Sequence, residues 1–587
     1  TENERTITVN SIIKQGDSLT SVSFEIPDNV GTRTMKGSAT VQREQSFSGV
    51  SIRNASAKDL RISTIDVFHP AGIVRPLKTP GVLDTLTVTP LAASPGATVI
   101  DIQNAQGVIV SGDIDNPLGS TTITANSGNI VRAAEDDEIE TATLRLEAKA
   151  GQIGTSADDA LGRFESISQS IEGVTDLTLI ASGNIYHQHS RGSADVNHVS
   201  SSTGDIDLFT VGDILEDDGD SDNAVDVDAS ALFTGRKIKL AGRSIGQSGN
   251  PIEIDASTAE GALQAFGENG IYLKELTDSI SVQQLGSSSG DIEFSMAEAA
   301  GSGQSFALTT TARVSANTGS ITLNLPDDTT IPAGAQFWLQ DILTINLDTQ
   351  ALAGDTGASL LFAANIIGGT QSTITSGDDA DSLDIRQVNI PTTISTGAGN
   401  DRITLSSATH RLNPFRAATR IDTGSDADQL IFNASGGTAL GMTGSVVASP
   451  ANGYTSRLTG FELNAAIDFT GAEQIDLTLG AGGDTATIEV VDDLSVFNVF
   501  AGGGDDQTAV GSVVSGVDPI LGRLNADGGL GTDSLTLNDE SNLISKVGSL
   551  SNRAITGLGM GTAAEGVRFD LFESLTLDLG TAVGNTG

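Results

Sequence analysis

Between residues 376 and 533, six segments combine glycine and aspartate at a fixed spacing. Each has glycine at its second position and aspartate at its sixth, with glycine or aspartate at the fourth. Ca²⁺ binds six to eight oxygen atoms, supplied by carboxylates and backbone carbonyls. A glycine-rich turn exposes carbonyls and each aspartate adds charge, so the spacing predicts calcium-binding turns. The segments are 376–381, 396–401, 423–428, 479–484, 501–506 and 528–533.

The candidate calcium ligands are the residues at positions four and six. Successive sixth-position aspartates lie 20, 27, 56, 22 and 27 residues apart, which divides them into two groups of three. A separation near 20 residues is typical of one coil in a stacked repeat. We therefore expect Asp381 to lie beside Asp401, and Asp484 beside Asp506. The candidates are Asp379, Asp381, Gly399, Asp401, Asp426, Asp428, Gly482, Asp484, Gly504, Asp506, Gly531 and Asp533.

Two further groups of residues could bind metal. Asp218, Asp220 and Asp222 alternate as in the first half of an EF-type loop, but Asn223 and Ala229 replace the glycine and glutamate of that loop. This segment is either a weak calcium site or a solvated acidic loop. Separately, His187-Gln-His189 places two imidazoles on one face of a strand, a pattern open to a transition metal although no third ligand is marked.

Composition excludes several classes of function. The 587 residues contain 31 Lys and Arg against 75 Asp and Glu, which gives a net charge of −44. Nucleic-acid binding and docking on anionic lipid both require a basic surface. The sequence has no apolar run near the ~18 residues of a membrane span, which argues against membrane insertion. Cysteine is absent, so disulfides and thiolate chemistry are excluded.

Strand signals dominate the elements that must position these residues. Short alternating runs bounded by Gly, Asn, Asp or Ser recur throughout, whereas helical periodicity is rare. A Gly-polar-Ile motif recurs, and we expect it to form one corner per coil, with glycine at positive φ and isoleucine starting an inward-facing row. The pattern predicts an all-β solenoid. The motif occurs at 112–114, 128–130, 183–185, 204–206, 212–214, 290–292 and 319–321.

Two families share these motifs. The Gly-Asp-Ile turns and the run Asn250-Pro-Ile-Glu-Ile254, over about residues 100–325, resemble filamentous-haemagglutinin-type bacterial surface proteins. This resemblance implies a right-handed parallel β-helix at the cell surface that serves adhesion or surface architecture. The Gly/Asp segments resemble the calcium-binding repeats of repeats-in-toxin (RTX) proteins, although here they are not consecutive. That resemblance implies Ca²⁺ as the cofactor.

Changes in the repeat pattern suggest four regions. We expect an N-terminal β cap or small β domain at 1–69, a proline-containing linker at 70–96, a β-helix of Gly-Asp-Ile type at 97–350, and a β-helix with RTX-like turns at 351–587. A Phe-…-Glu lead-in to a strand occurs at 469–480 and again at 572–580. The second copy leads into a sequence that stops at Gly587, which suggests truncation at the C-terminus.

The sequence therefore predicts an extracellular or cell-surface structural protein and no enzyme. Calcium-neutralised coils would form a stalk, fibre or adhesive layer, and the partners would be other copies of the chain, surface glycans or other cells. The alternative is a β-helical polysaccharide lyase or glycoside hydrolase. Paired carboxylates suitable for hydrolysis are present, but acidic pairs are too abundant to single out a site, and a −44 surface repels acidic polysaccharide.

Overall fold

The structure of the protein is a computed structural model. It describes residues 14–15, 18–19, 22–26, 36–40, 49–55, 57–66, 85–89, 99–158, 161–216, 232–257, 259–276, 279–296, 304–326, 328–348, 357–437, 440–561 and 566–580. Asp218, Asp220 and Asp222 lie outside these residues, as does most of the predicted cap at 1–69 and linker at 70–96. The predicted boundary between the two β-helix regions, at residues 350 and 351, stays a prediction.

Contacts divide the chain into two units, Thr1–Ser295 and Met296–Gly587. The strands of the first unit, the last of which ends one residue beyond it, are β1 (Lys14–Gln15), β2 (Ser18–Leu19), β3 (Val22–Ile26), β4 (Lys36–Thr40), β5 (Gly49–Asn54), β6 (Leu60–Asp66), β7 (Thr85–Thr89), β8 (Val99–Asn104), β9 (Val108–Val110), β10 (Ile114–Ala125), β11 (Ile130–Arg132), β12 (Ile139–Ala148), β13 (Phe164–Ile167), β14 (Val174–Ala181), β15 (Ile185–Arg191), β16 (Ser193–Ser201), β17 (Ile206–Thr210), β18 (Ile214–Glu216), β19 (Phe233–Gly235), β20 (Ile238–Gly242), β21 (Ile252–Ala256), β22 (Leu263–Gly267), β23 (Ile271–Glu275), β24 (Ile280–Ser287) and β25 (Ile292–Met296).

The second unit continues the numbering. Its strands are β26 (Ser305–Ala316), β27 (Ile321–Leu325), β28 (Asp328–Ile331), β29 (Gln336–Leu339), β30 (Ile342–Leu347), β31 (Ser359–Phe362), β32 (Asn365–Gly368), β33 (Gln371–Thr375), β34 (Ser382–Ile385), β35 (Thr392–Ser395), β36 (Arg402–Leu405), β37 (Thr419–Asp422), β38 (Gln429–Asn433), β39 (Thr443–Ala448), β40 (Ser456–Gly460), β41 (Ile467–Thr470), β42 (Gln474–Thr478), β43 (Thr485–Ile488), β44 (Val496–Phe500), β45 (Gln507–Val510), β46 (Arg523–Asp527), β47 (Ser534–Asp539), β48 (Gly548–Leu550), β49 (Ala554–Gly557), β50 (Gly566–Asp570) and β51 (Ser574–Leu579).

In each unit, strands pair mostly in parallel with a strand one coil further along the chain. In the first unit β8, β10, β12, β14 and β16 pair in that order. In the second, β34, β36, β38, β42, β44, β46 and β50 do the same. Among the described strands of that unit, antiparallel pairing is confined to β39–β40–β41 and β48–β49–β50. The all-β prediction is confirmed, and the stacking is that of a β-solenoid.

Inward-facing aliphatic side chains form the core of each stack. Along the strands, buried and half-buried residues alternate, as in β12 and β34. Burial of each Ile or Leu side chain contributes about 1.5–3 kcal/mol relative to exposure. The isoleucine of every Gly-polar-Ile motif begins a strand and is at most 1% exposed, which confirms its predicted place: Ile114, Ile130, Ile185, Ile206, Ile214, Ile292 and Ile321.

The predicted role of the glycine in that motif was wrong. Gly112, Gly212 and Gly290 do not take positive φ. Instead, the neighbouring coil lies against the glycine: a Cβ on Gly112 would lie 1.3 Å from the carbonyl oxygen of Ser63, and one on Gly290 would lie 1.6 Å from that of Asn269. These glycines are therefore required by the close approach of two backbones, and not by an unusual dihedral angle.

Helices do not contribute to the described part of the fold. Within the residue ranges given above, no helix has the length and apolar character to cross a membrane.

Candidate functional site

Two columns of buried aspartates occupy the Gly/Asp turns of the second unit. In the first column, the backbone N–H of Ala358 donates to Oδ1 of Asp381 at 2.7 Å. The N–H of Asp381 then donates to Oδ1 of Asp401 at 2.8 Å, and that of Asp401 to Oδ1 of Asp428 at 2.9 Å. Each aspartate precedes a strand of the β34–β36–β38 stack, which places the carboxylates one coil apart. We call this set the first ladder.

The second ladder repeats this arrangement with the other three aspartates. The N–H of Met442 donates to Oδ1 of Asp484 at 2.5 Å. The N–H groups of Asp484 and Asp506 donate to Oδ1 of Asp506 and Asp533, at 2.6 and 2.7 Å. These aspartates precede β43, β45 and β47, which pair in parallel. The expected neighbours, Asp381 with Asp401 and Asp484 with Asp506, are therefore in direct contact.

A glutamate ends each ladder. The N–H of Asp428 donates to Oε2 of Glu473 at 2.9 Å, and that of Asp533 donates to Oε2 of Glu573 at 2.7 Å. Both glutamates belong to the Phe-…-Glu lead-ins identified in the sequence. Neither glutamate was predicted as a site residue, although the lead-in recurs after each group of three turns and that recurrence is a signal for them in the sequence.

The ladders leave one oxygen of most carboxylates without a hydrogen-bond partner. All six aspartates are only 1–2% exposed. In Asp484 the Oδ2 accepts the N–H of Gly480 at 3.1 Å. In the other five, Oδ2 is buried and has no hydrogen-bond partner: Asp381, Asp401, Asp428, Asp506 and Asp533. A buried carboxylate oxygen in this state is costly unless it holds a proton or a cation.

Burial weakens the acidity of Asp381, Asp401, Asp428, Asp484 and Asp506. Desolvation, together with neighbouring aspartates, raises the pKa of Asp381, Asp401 and Asp506 from 3.8 to about 6. Burial also raises the pKa of Asp428 and of Asp484. The backbone N–H bond to Oδ1 opposes the rise in each case without cancelling it. The hydroxyls of Ser376, Thr396 and Thr423 also oppose it, at Asp381, Asp401 and Asp428 respectively, and at Asp381 the hydroxyl has the larger effect. These hydroxyls donate to carbonyl oxygens of the next coil. The ladders are therefore sites where protons and cations compete for the same oxygen atoms.

Backbone geometry at positions two and four is specialised in four of the six turns. Position two has positive φ at Gly397, Gly424, Gly502 and Gly529. Position four has φ of 117° at Gly399, 114° at Gly504 and 149° at Gly531. Asp426 takes φ of 92° at the same position, which an L side chain adopts only with strain.

The predicted ligands at position four differ in burial from the aspartates at position six. Asp426 is exposed and its Oδ2 accepts the N–H of Gly399 at 3.3 Å. Asp379 and Gly504 are half-buried, Gly531 is exposed and Gly482 is buried. Position six is thus buried in all six turns, whereas position four ranges from buried to exposed.

The residues present fit a hard cation that prefers oxygen ligands. The orphaned Oδ2 atoms supply carboxylate ligands, and the turns supply carbonyls, although those of Gly397 and Gly502 already accept N–H groups from Ser425 and Leu530. Across the described residues, no three His, Asp or Glu side chains converge as a metal cluster. Any bound ion would therefore rely on carbonyls and on one or two carboxylates.

The two histidines of the first unit lie in its core. His187 and His189 are 0% exposed, and Oγ of Ser166 lies 2.9 Å from both Nε2 of His187 and Nδ1 of His189. Nε2 of His189 lies 3.0 Å from Oγ of Ser168. Their hydrogen bonds to hydroxyl groups explain the histidine pair without a metal. The serines come from the previous coil, so no local sequence signal announced them.

The donor and acceptor of each hydrogen bond in this cluster can be assigned by starting from Thr175. The hydroxyl of Thr175 donates to the carbonyl of Thr141 at 2.9 Å, so the Ser168 hydroxyl must donate to Thr175 at 3.0 Å. Nε2 of His189 then carries the proton donated to Ser168, and Nδ1 of His189 accepts from Ser166.

The remaining imidazole, that of His187, has a buried acceptor nitrogen. Because Ser166 donates to His189, Nε2 of His187 must donate to Ser166, so the unprotonated nitrogen of His187 is Nδ1. That atom has no hydrogen-bond partner. Burial, followed by the charges of His189, Arg163 and Arg132, holds the pKa of His187 well below its ordinary value. Burial, followed by Arg191, lowers the pKa of His189 to about 4.

No protein-family model, curated protein or solved structure matches this chain.

Proposed function

We propose that the chain is a calcium-stabilised structural β-solenoid, secreted to the bacterial cell surface, where it forms a stalk, fibre or adhesive layer. The proposed coil is a right-handed parallel β-helix, in keeping with the families that its turns resemble. Its function would lie in length, stiffness and repetition. The repeated parallel coils of each unit support a scaffold of this kind.

The observation that carries the calcium proposal is the set of orphaned oxygens in the two ladders. At neutral pH, a carboxyl group with pKa about 6, as at Asp401 and Asp506, is largely ionised and buried beside like charges. Ca²⁺ bound to Oδ2 would supply the missing partner and offset repulsion along the ladder. The whole chain has a net charge of −44, so neutralisation of carboxylates by Ca²⁺ would reduce repulsion that destabilises the folded state.

Thermal unfolding with and without calcium tests this proposal. The only tryptophan, Trp338, lies in β29 of the second unit, so its fluorescence reports that unit. We expect calcium to raise the midpoint of its transition, and a free concentration 100 times Kd stabilises by about 2.7 kcal/mol per site. The double variant Asp506→Asn, Asp533→Asn should lose part of the response, whereas exposed Asp493→Asn should keep it. Equal melting in calcium and chelator would reject the proposal.

Self-association is supported by apolar side chains at β51. Leu535 and Leu537 in β47 are 0% exposed, and they pair in register with Leu575 and Leu577 in β51, which are half-buried. Leu579 is 48% exposed. A second copy stacked on this strand would bury these leucines. Sedimentation of the wild type against Leu575→Glu tests this: assembly should be lost in the variant, and a monomeric wild type at all concentrations would reject it.

A further inference from the structure

A groove of about 580 Å³ lies on the outer surface of the second unit, along β44, β46 and β50. Its size falls in the range of small-molecule sites. None of the six ladder aspartates lines it, although Phe500 and Asp527 directly precede the turns at 501–506 and 528–533. Its lining residues that carry functional groups are Asn498, Phe500, Asn525, Asp527, Arg553, Arg568 and Asp570.

One row of side chains leads into this groove, and all of its hydrogen bonds run in the same donor-to-acceptor direction. Asp476 in β42 can only accept hydrogen bonds, and its Oδ1 accepts from Nδ2 of Asn498 at 2.6 Å. Oδ1 of Asn498 in turn accepts from Nδ2 of Asn525 at 2.7 Å. Because each amide donates toward Asp476, the carbonyl oxygen of Asn525 is left over for the next coil. In the described residues this oxygen has no partner.

The next residue of the row is a cation. Arg568 lies in register with Asn525 on the neighbouring strand and is exposed. Among the described residues its guanidinium makes no hydrogen bond or ion pair, so its donor fork is available. Arg553 is 72% exposed and lies 3.7 Å from Asp570. Two guanidinium groups in one groove are notable in a chain with only 31 basic residues.

An aromatic ring and two aspartates form the adjacent row. Phe500 is 42% exposed and lies in register with Asp527, which in turn lies in register with Asp570. These rows are two residues apart along the strands, a separation of about 6.6 Å. One pyranose ring can bridge that distance. The two aspartates, together with the net charge, disfavour a ligand with many negative charges.

We propose that this groove binds a saccharide unit that carries one carboxylate. The carboxylate pairs with the guanidinium of Arg568, one hydroxyl donates to Oδ1 of Asn525, and the apolar face of the ring packs on Phe500. This goes beyond the scaffold function, because it gives the solenoid a specific ligand class. It does not depend on calcium binding in the ladders.

Ligand-observed NMR titration with methyl β-D-glucuronide and methyl β-D-glucoside tests the proposal. The two sugars differ only at C6, where the first has a carboxylate and the second a hydroxymethyl group. We expect the glucuronide to bind and the glucoside to bind at least about tenfold more weakly, the loss that follows from removing one charged pair. Arg568→Gln should weaken glucuronide binding to the same degree. Phe500→Ala should weaken the binding of both sugars.

Arg402→Gln is the matched control, because Arg402 is an exposed arginine on β36 of the same strand stack, outside the groove. It should leave binding unchanged. Unaltered melting of each variant shows that the fold is retained. The proposal is overturned if the glucuronide does not bind, if both sugars bind equally, if Arg568→Gln has no effect, or if an acidic peptide such as acetyl-Asp-Glu-amide competes as well as the glucuronide.

Discussion

The backbone N–H of Asp506 donates to Oδ1 of Asp533 at 2.7 Å, although 27 residues separate the two in sequence. The same bond links each ladder aspartate to the next, so the side chain of one coil provides the acceptor for the backbone of its neighbour. The aspartates predicted to bind calcium thus have a second role, which is structural. Each carboxylate accepts a hydrogen bond from a buried backbone N–H that lies just before the first residue of a strand.

Replacement of a ladder aspartate should separate these two tasks. Asp506→Ala removes the acceptor of the Asp484 N–H and should destabilise the second unit by about 1–3 kcal/mol in chelator. Asp506→Asn keeps an acceptor oxygen and removes the ionisable group, so it should be at least as stable as the wild type at pH 7. Urea unfolding followed by Trp338 fluorescence measures both, with Asp493→Ala as control. Equal stability of the Ala and Asn variants would contradict the ladder.

The ladders predict an unusual pH dependence in chelator. Burial raises the pKa of Asp381, Asp401 and Asp506 to about 6, so the folded chain holds more protons than the unfolded chain between pH 3.8 and about 6. This contribution to stability is present at low pH and is lost as the pH rises through 6. Trp338-detected melting at pH 5 and pH 7 checks it, and saturating calcium should reduce the difference. A ladder contribution that grows between pH 5 and pH 7 in chelator would refute it; comparison with Asp506→Asn isolates that contribution.

The glutamate at the end of each ladder should contribute to the free energy of unfolding through one hydrogen bond. Glu473 is half-buried and accepts the N–H of Asp428. Glu473→Ala should cost about 1 kcal/mol of unfolding free energy, whereas Glu473→Gln, which keeps an acceptor, should cost less. Urea unfolding in chelator measures both variants. If Gln is as damaging as Ala, the acceptor role is wrong.

Asp426 offers a test of backbone strain. It adopts φ of 92°, where Gly504 adopts 114° in the equivalent turn. Asp426→Gly should be stabilising or neutral, since relief of about 1 kcal/mol of strain is set against loss of a 3.3 Å hydrogen bond and greater freedom of the unfolded chain. Gly504→Ala should destabilise, because its Cβ would lie 2.5 Å from the backbone of Gly482. Differential scanning calorimetry ranks the two variants, and the reverse order would count against the assignment.

The histidine cluster predicts acid sensitivity in the first unit. Burial lowers the pKa of His189 from 6.5 to about 4, so the unfolded chain binds more protons between these values and stability is lost as the pH falls from 6.5 toward 4. Arg163, Arg132 and Arg191 lie around the cluster, and they are paired with Asp207, Glu165 and Glu140. Hydrogen exchange, corrected for its intrinsic pH dependence, should show β13–β16 less protected at pH 5 than at pH 7. Peptides from β22–β24 serve as the internal control, and equal changes in both would contradict the prediction.

Local signals in the sequence predicted most of the fold. Gly-polar-Ile motifs marked where strands begin, because a buried isoleucine after a corner is a property of a few adjacent residues. The spacing of the Gly/Asp segments likewise indicated that Asp381 and Asp401 are neighbours. The reason for the glycines was missed at Gly112 and Gly290, since the atoms that exclude a Cβ belong to another coil.

Contacts between coils account for what the sequence did not reveal about the site. The partner of each ladder carboxylate is a backbone N–H, and main-chain groups leave no mark in residue type. Ser166 and His189 are 23 residues apart, and nothing in either position indicated that the hydroxyl would reach the imidazole. Glu473 was visible as part of a repeated motif, but only the coordinates connect it to Asp428.

The paired endings at Glu473 and Glu573 define blocks of three acidic turns with their own start and stop. Tandem duplication of such a block would add whole coils while keeping each run of interior negative charge the same size. Lengthening by this route would keep the buried negative charge per block constant, so the number of coils need not be limited by repulsion among the buried aspartates.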